Sequence, residues 1–127
     1  MSRAWTFTLH YARAPKGLSA NDRCHWQVKR KSVEEVRALV ADNCDNLPRM
    51  DRVRVDVAWI VKDKIRRDTD NLAPFLKAIY DGIGADKGVS AHVVPDDAPE
   101  FMEKVGASIR YEIGATPHFE VTVTELS

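Results

Sequence analysis

A chain of 127 residues, 44% hydrophobic and 30% charged, has the size of one domain and buries roughly two thirds of its unfolded surface. Charges interrupt its apolar runs, so no membrane span is expected, and the segment from Met1 to Phe7 lacks the apolar stretch of an export signal. Nineteen basic residues balance nineteen acidic ones, an unpromising total for a nucleic-acid binder, but the balance is uneven. Residues 1–37 hold eight Lys or Arg against three Asp or Glu (+5), 38–61 three against four (−1), 62–67 four against one (+3), and 68–127 four against eleven (−7). A basic front beside an acid-rich back suits a phosphate-gripping surface next to a cation-filled site, because divalent ions cancel part of the acidic excess. Cys24 and Cys44 belong to no Cys-x-x-Cys pair, and two reduced thiols in a cytoplasmic protein are expected. His10, His25, His92 and His118 have no metal-ligand spacing and are given no role.

Trp5, Phe7, Leu9 and Tyr11 alternate with polar residues, the period of a half-buried strand that ends near Pro15. Ser32-Val33-Glu34-Glu35 matches a capping box, so a helix is expected from Ser32, with an earlier start near Asn21 also open. Its apolar face is Val33, Val36, Val40 and Cys44, and Pro48 limits its extent. In the next strand Val53, Val55, Val57, Trp59 and Val61 form one face. Arg52, Arg54, Asp56, Lys62, Lys64, Arg66, Asp68 and Asp70 all fall on the other, provided no bulge intervenes. Pro74 suits the first turn of a second helix, with Phe75, Ile79 and Ile83 stacked on one side and Gly82 and Gly84 ending it. Two closing strands carry Val105, Ala107, Ile109, Tyr111 and Ile113, then Phe119, Val121 and Val123, and are expected to be antiparallel neighbours. The fold class is α+β: one domain over 1–127, with a four-stranded mixed or antiparallel sheet covered on one side by two helices.

The chemistry concentrates in Arg66-Arg67-Asp68-Thr69-Asp70-Asn71-Leu72. Residues i and i+2 of an extended chain point the same way about 6.5 to 7 Å apart, so Asp68 and Asp70 can converge on one hard cation. All-oxygen ligands favour Mg²⁺ or Mn²⁺, and the proline-bounded pair Asp96-Asp97 offers a third ligand from either member. Such a site generates a nucleophilic water and stabilises charge on phosphate oxygens, while Lys77 can face a phosphate oxygen. Lys62, Lys64, Arg66 and Arg67 would lead a DNA backbone to it. Asn21 and Arg23 lie in a polar cluster where a loop can touch the same strand. Plainer readings stand beside each: Asp70 as a helix cap, Lys77 with Asp81 as an i,i+4 pair, and Asp96-Asp97 as a polar turn.

Arg67-Asp68-x-Asp70-Asn71-Leu72, then Lys77-Ala78 and Asp81, then Asp96-Asp97, resembles the RusA family of Holliday junction resolvases, found largely in phages and prophages, over about residues 21–125. The resemblance implies a homodimer in the cytoplasm of a bacterial or phage-infected cell. It implies binding of four-way DNA junctions and paired symmetric cuts made with Mg²⁺ or Mn²⁺. Asp68, Asp70 and Asp97 are its implied catalytic aspartates, Lys77 its essential lysine and Asn21 a DNA contact. The lysine here follows the second aspartate by seven residues rather than the four of the best-known members, and both spacings return to one helical face. A two-fold dimer also matches the dyad of a four-way junction independently of resemblance. Three other readings compete: a nuclease for flaps, forks or other branched DNA; a non-cleaving DNA-binding protein of the same fold; and a transferase holding a metal-bound diphosphate. No glycine-rich phosphate loop accompanies the pair to favour the last.

Overall fold

The computed structural model describes residues 3–126. In chain order it contains β1 (Ala4–Leu9), α1 (Trp26–Asn43), β2 (Val53–Val61), a single 3₁₀ turn (Thr69–Leu72), α2 (Ala73–Ile83), β3 (Met102–Tyr111) and β4 (His118–Glu125). This is an α+β domain with a four-stranded mixed sheet ordered β1-β4-β2-β3. β4 runs antiparallel to both β1 and β2, whereas β2 and β3 are parallel. A parallel neighbour needs a crossover, and the chain from β2 through α2 to β3 supplies it.

Alternation places each strand's apolar residues on one face. Val53, Val55, Val57, Trp59 and Val61 of β2 are buried beside Phe119, Val121 and Val123 of β4. Phe75 of α2 meets Phe119 edge-on at 4.8 Å, and Phe119 stacks on Trp59 at 5.3 Å. Phe75, Ile79 and Ile83 are fully buried, as are Val36 and Val40 of α1, so α2 lies against the sheet with α1 beside it. The opposite face carries Thr6 bonded to Thr122, with Arg54 paired to Asp56. Both cysteines are free, and burial pushes the Cys44 thiol up to about 12.

Four expectations are corrected. The first helix begins at Trp26, where His25 Nδ1 accepts from the Gln27 amide at 3.2 Å. Ser32 is no cap, because its hydroxyl donates to the Lys16 carbonyl at 2.7 Å. Gly82 lies inside α2, and Gly84 alone ends it. β3 and β4 are not neighbours, since β2 runs between them. Finally, β2 stops at Val61 and residues 62–68 have no regular structure, so the even-numbered face does not continue from Arg54 to Asp70.

Candidate active site

Strand geometry ends at Val61, and Arg67 then folds the segment that follows. Its guanidinium donates to the Asp63 carbonyl at 3.1 Å, the Ile65 carbonyl at 2.8 Å and Asp63 Oδ1 at 2.8 Å, and it lies over the Trp59 ring at 5.6 Å. The hydrogen bond from Arg67 holds the Asp63 carboxyl below its usual range. Arg67 is thereby a clamp for its own loop. Lys62, Lys64 and Arg66 stay exposed, with the Lys64 ammonium 5.3 Å from the Tyr111 ring centroid.

Asp68 caps the 3₁₀ turn, its Oδ1 accepting from the Asp70 amide at 2.9 Å. Unpaired amides at a helical N-terminus favour carboxylates, and Asp70 sits in that first turn. Both carboxylates are exposed, and Asp70's makes no hydrogen bond or ion pair with a described residue. The 3₁₀ turn passes directly into α2 with Pro74 in its first turn. From Asp70 to Leu72 the chain rotates about 240°, and from Leu72 to Lys77 about 500°. The sum lies about 20° beyond two full turns, so Lys77 shares a face with Asp70.

Lys77 reaches Asp97. Its ammonium donates to Asp97 Oδ2 at 2.6 Å and to Asp81 Oδ1 at 3.1 Å, while Arg37 stands 4.0 Å from the second Asp81 oxygen. A second ammonium, that of Lys104, donates to the same Asp97 oxygen at 2.9 Å and rests over the Tyr80 ring. Asp97 is 8% exposed. Burial alone would raise its carboxyl, but hydrogen bonds from Lys77 and Lys104 and their charges outweigh that and hold it at about 2. Burial works to lower Lys77, and Asp97 and Asp81 raise it overall. Of the acidic pair, Asp97 joins the lysine, while Asp96 is half-buried with no ion pair to a described residue.

Lys104 was not legible from strict alternation, which sets it opposite Val105, Ala107 and Ile109. β3 contains a bulge: Lys104 pairs with Val55 and Gly106 with Asp56, leaving Val105 as the extra residue. Gly106 has φ +90°, a conformation glycine accepts without steric cost. The inserted residue resets the parity. Lys104 therefore faces the helix side with Val55, and Ala107 and Ile109 return to that side beyond it.

The loop before α1 leans on the 3₁₀ turn, and together they line an open cavity of about 400 Å³, with Arg13, Lys16, Ser19 and Asp22 from the loop and Arg67, Asp68 and Asn71 from the turn and the residues before it. Asn21 and Arg23 are exposed on the same loop, outside that lining. The donor set is all oxygen: Asp68 and Asp70 present exposed carboxylates at the turn, and the Asp97 carboxylate is held by Lys77 of α2 and by Lys104. Among the described residues, no three acidic, imidazole or thiolate side chains stand together as a metal-holding group, Asp68, Asp70 and Asp97 included. Comparison with protein-family models and with curated proteins finds no match to this chain.

Proposed function

We propose that the protein is a Mg²⁺- or Mn²⁺-dependent endonuclease selective for branched DNA, a homodimer that resolves four-way junctions by paired cuts. One observation carries this reading: the buried Asp97 carboxyl is bonded to Lys77, and Lys77 stands on the helix that continues directly from the turn presenting Asp68 and Asp70. Asp68 and Asp70 would hold the cation, with Asp97, or its neighbour Asp96, as the third ligand. When bound, the cation supplies an activated water and charge neutralisation at the phosphate.

The chain's own residues do the rest. Lys104 keeps Asp97 negative and in place when Lys77 turns toward a phosphate oxygen, where its ammonium stabilises developing charge. The Asp68 carboxylate is fixed by the turn it caps, and positioning of this kind lowers the entropy cost of reaction; Asp70 is placed by the backbone of the same turn. Lys62, Lys64 and Arg66 are exposed and contribute sequence-independent phosphate attraction.

Purified protein incubated with a synthetic four-way junction, a flap and linear duplex, each with Mg²⁺ or chelator, tests the proposal. Paired metal-dependent nicks on the junction are expected, abolished by Asp68→Asn or Asp70→Asn. Cleavage surviving either change would remove the site, and equal cutting of linear duplex would remove the selectivity. The double occupation of Asp97 by lysines favours a second reading, a branched-DNA-binding protein that does not cut. On that reading Asp68→Asn leaves junction binding and biological activity untouched.

A further inference from the structure

We propose that the cavity between the loop before α1 and the 3₁₀ turn is a subsite that grips one phosphodiester unit of a DNA strand, with Arg13 and Lys16 as its cations. The inference deepens the nuclease reading and rests on it for the identity of the strand.

The loop is irregular in conformation but heavily anchored. Trp59 Nε1 donates to the Ala12 carbonyl at 3.1 Å, and the Leu18 amide to the Pro15 carbonyl at 2.9 Å. Gly17 donates to Asp22 Oδ2 at 2.8 Å, and Ser32 to the Lys16 carbonyl at 2.7 Å. The Ala20 amide donates to the Asn71 carbonyl at 2.8 Å, which ties the loop directly to the turn carrying Asp68 and Asp70. Leu18 is fully buried beneath it. Every anchor uses backbone or a side chain other than Arg13 and Lys16. Those two side chains make no hydrogen bond or ion pair with any described residue. The anchored backbone places two exposed cations without a partner among the described residues at the cavity, so the side chains alone remain to be ordered when an anion binds.

The remaining lining selects which anion. Arg67 is engaged by Asp63, so Arg13 and Lys16 supply the available positive charge. Asp22 and Asp68 share the cavity, and their negative charge disfavours a dianionic phosphate monoester more than a singly charged diester. Asn71 and Ser19 add polar groups, and Ala14 and Leu72 add apolar surface that suits a sugar. About 400 Å³ lies within the range of small-ligand sites and fits one nucleotide unit rather than a duplex. Because Asp68 lines the same cavity, a strand held here has its neighbouring phosphate at the acidic turn.

Trp59 reports on the site, since its indole N–H is bonded to Ala12 within the loop. In ¹H–¹⁵N spectra with chelator present, assigned with Trp59→Phe, thymidylyl dinucleotide should move the Trp59 indole and Asn71 amide signals, and inorganic phosphate should move them less. Arg13→Gln with Lys16→Gln should abolish that response and leave the thermal midpoint unchanged. Metal-free junction binding by this double variant should lose about 0.9 unit per protomer from the slope of log K against log salt, the loss expected for one phosphate contact at each subsite. Persistence of the dinucleotide shifts in the double variant, or shifts confined to residues 62–66, would overturn the subsite. A stronger response to inorganic phosphate than to the dinucleotide would overturn the diester assignment. Wild type that binds the dinucleotide in this way but never cuts DNA leaves the subsite standing and defeats the nuclease reading. Cutting that is indifferent to both substitutions does the reverse.

Discussion

Asp97 holds its charge where burial opposes charge, and two lysines reverse the outcome. Its folded value of about 2 lies below the ordinary 3.8, so the pair's contribution is complete above about pH 5 and is lost as pH falls through 3.8 toward 2. A depression of this size corresponds to about 2 to 3 kcal/mol. Lys77 and Lys104 side chains are 59% and 36% exposed, and solvent screening reduces the figure to about 1 to 2 kcal/mol. Asp97→Asn should destabilise the protein by about that amount at neutral pH. Urea titrations at stepped pH should show wild type and variant converging between pH 5 and 2. A constant difference across that range would mean that the ion pair contributes nothing. Lys77 and the pair Asp96-Asp97 were legible in the sequence because residue type and spacing are local properties, though the choice between the two aspartates stays open there. The contact of Lys77 with Asp97 across twenty positions and the arrival of Lys104 were not, since both depend on how the crossover returns to the sheet.

At the scale of elements, two glycines decide where the site residues stand. A Cβ on Gly106 meets nothing within 4 Å, so Gly106→Ala would cost only what φ +90° costs a side-chain-bearing residue, about 1 to 2 kcal/mol. If the strand relaxes by losing the bulge, Lys104 rotates off Asp97. The Asp97 side-chain carboxyl, followed by ¹³C NMR, should then titrate closer to the usual aspartate range. An unchanged titration would show that the bulge does not aim Lys104. Gly82 is the opposite case. A Cβ there would lie 2.7 Å from Val40 Cβ and 3.0 Å from the Arg37 carbonyl, because α1 and α2 touch at this point. Gly82→Ala gains about 1 kcal/mol of helix propensity against about 1 to 3 kcal/mol of overpacking, so calorimetry should record a lower midpoint. The apolar periods of β2, β4 and α2 are readable because each strand or helix obeys one repeat from end to end. The bulge in β3, the end of β2 at Val61 and the early start of α1 break such repeats, or are set by tertiary hydrogen bonds such as Ser32 to Lys16. Their local traces are weak: Gly106 within a strand pattern marks a bulge without fixing its register, and the cap at His25 spans only two residues.

The whole molecule presents a sheet with one open parallel edge. β3 pairs only with β2, and Val105, Ile109 and Tyr111 on it are 49%, 42% and 41% exposed. Unpaired edges invite association, and the bulge at Gly106 and the Lys64 ammonium over Tyr111 restrict how a second strand can approach. The homodimer proposed for junction cutting has to bury apolar surface somewhere, and a two-fold axis beside β3 would place both copies of this row in one isologous contact. A specific interface buries about 800 Å² per partner, more than three side chains supply, so flanking loop residues such as Ile113, 84% exposed, would have to join. Sedimentation equilibrium should then report a dimer for wild type and a shift toward monomer for Ile109→Lys, whose added charges would face each other across the axis. Because each protomer would carry its own acidic turn, the same variant should still nick a junction in one strand while losing paired cuts. A dimer that survives Ile109→Lys would move the interface to another surface, with α1's exposed Trp26 and Val28 next in line.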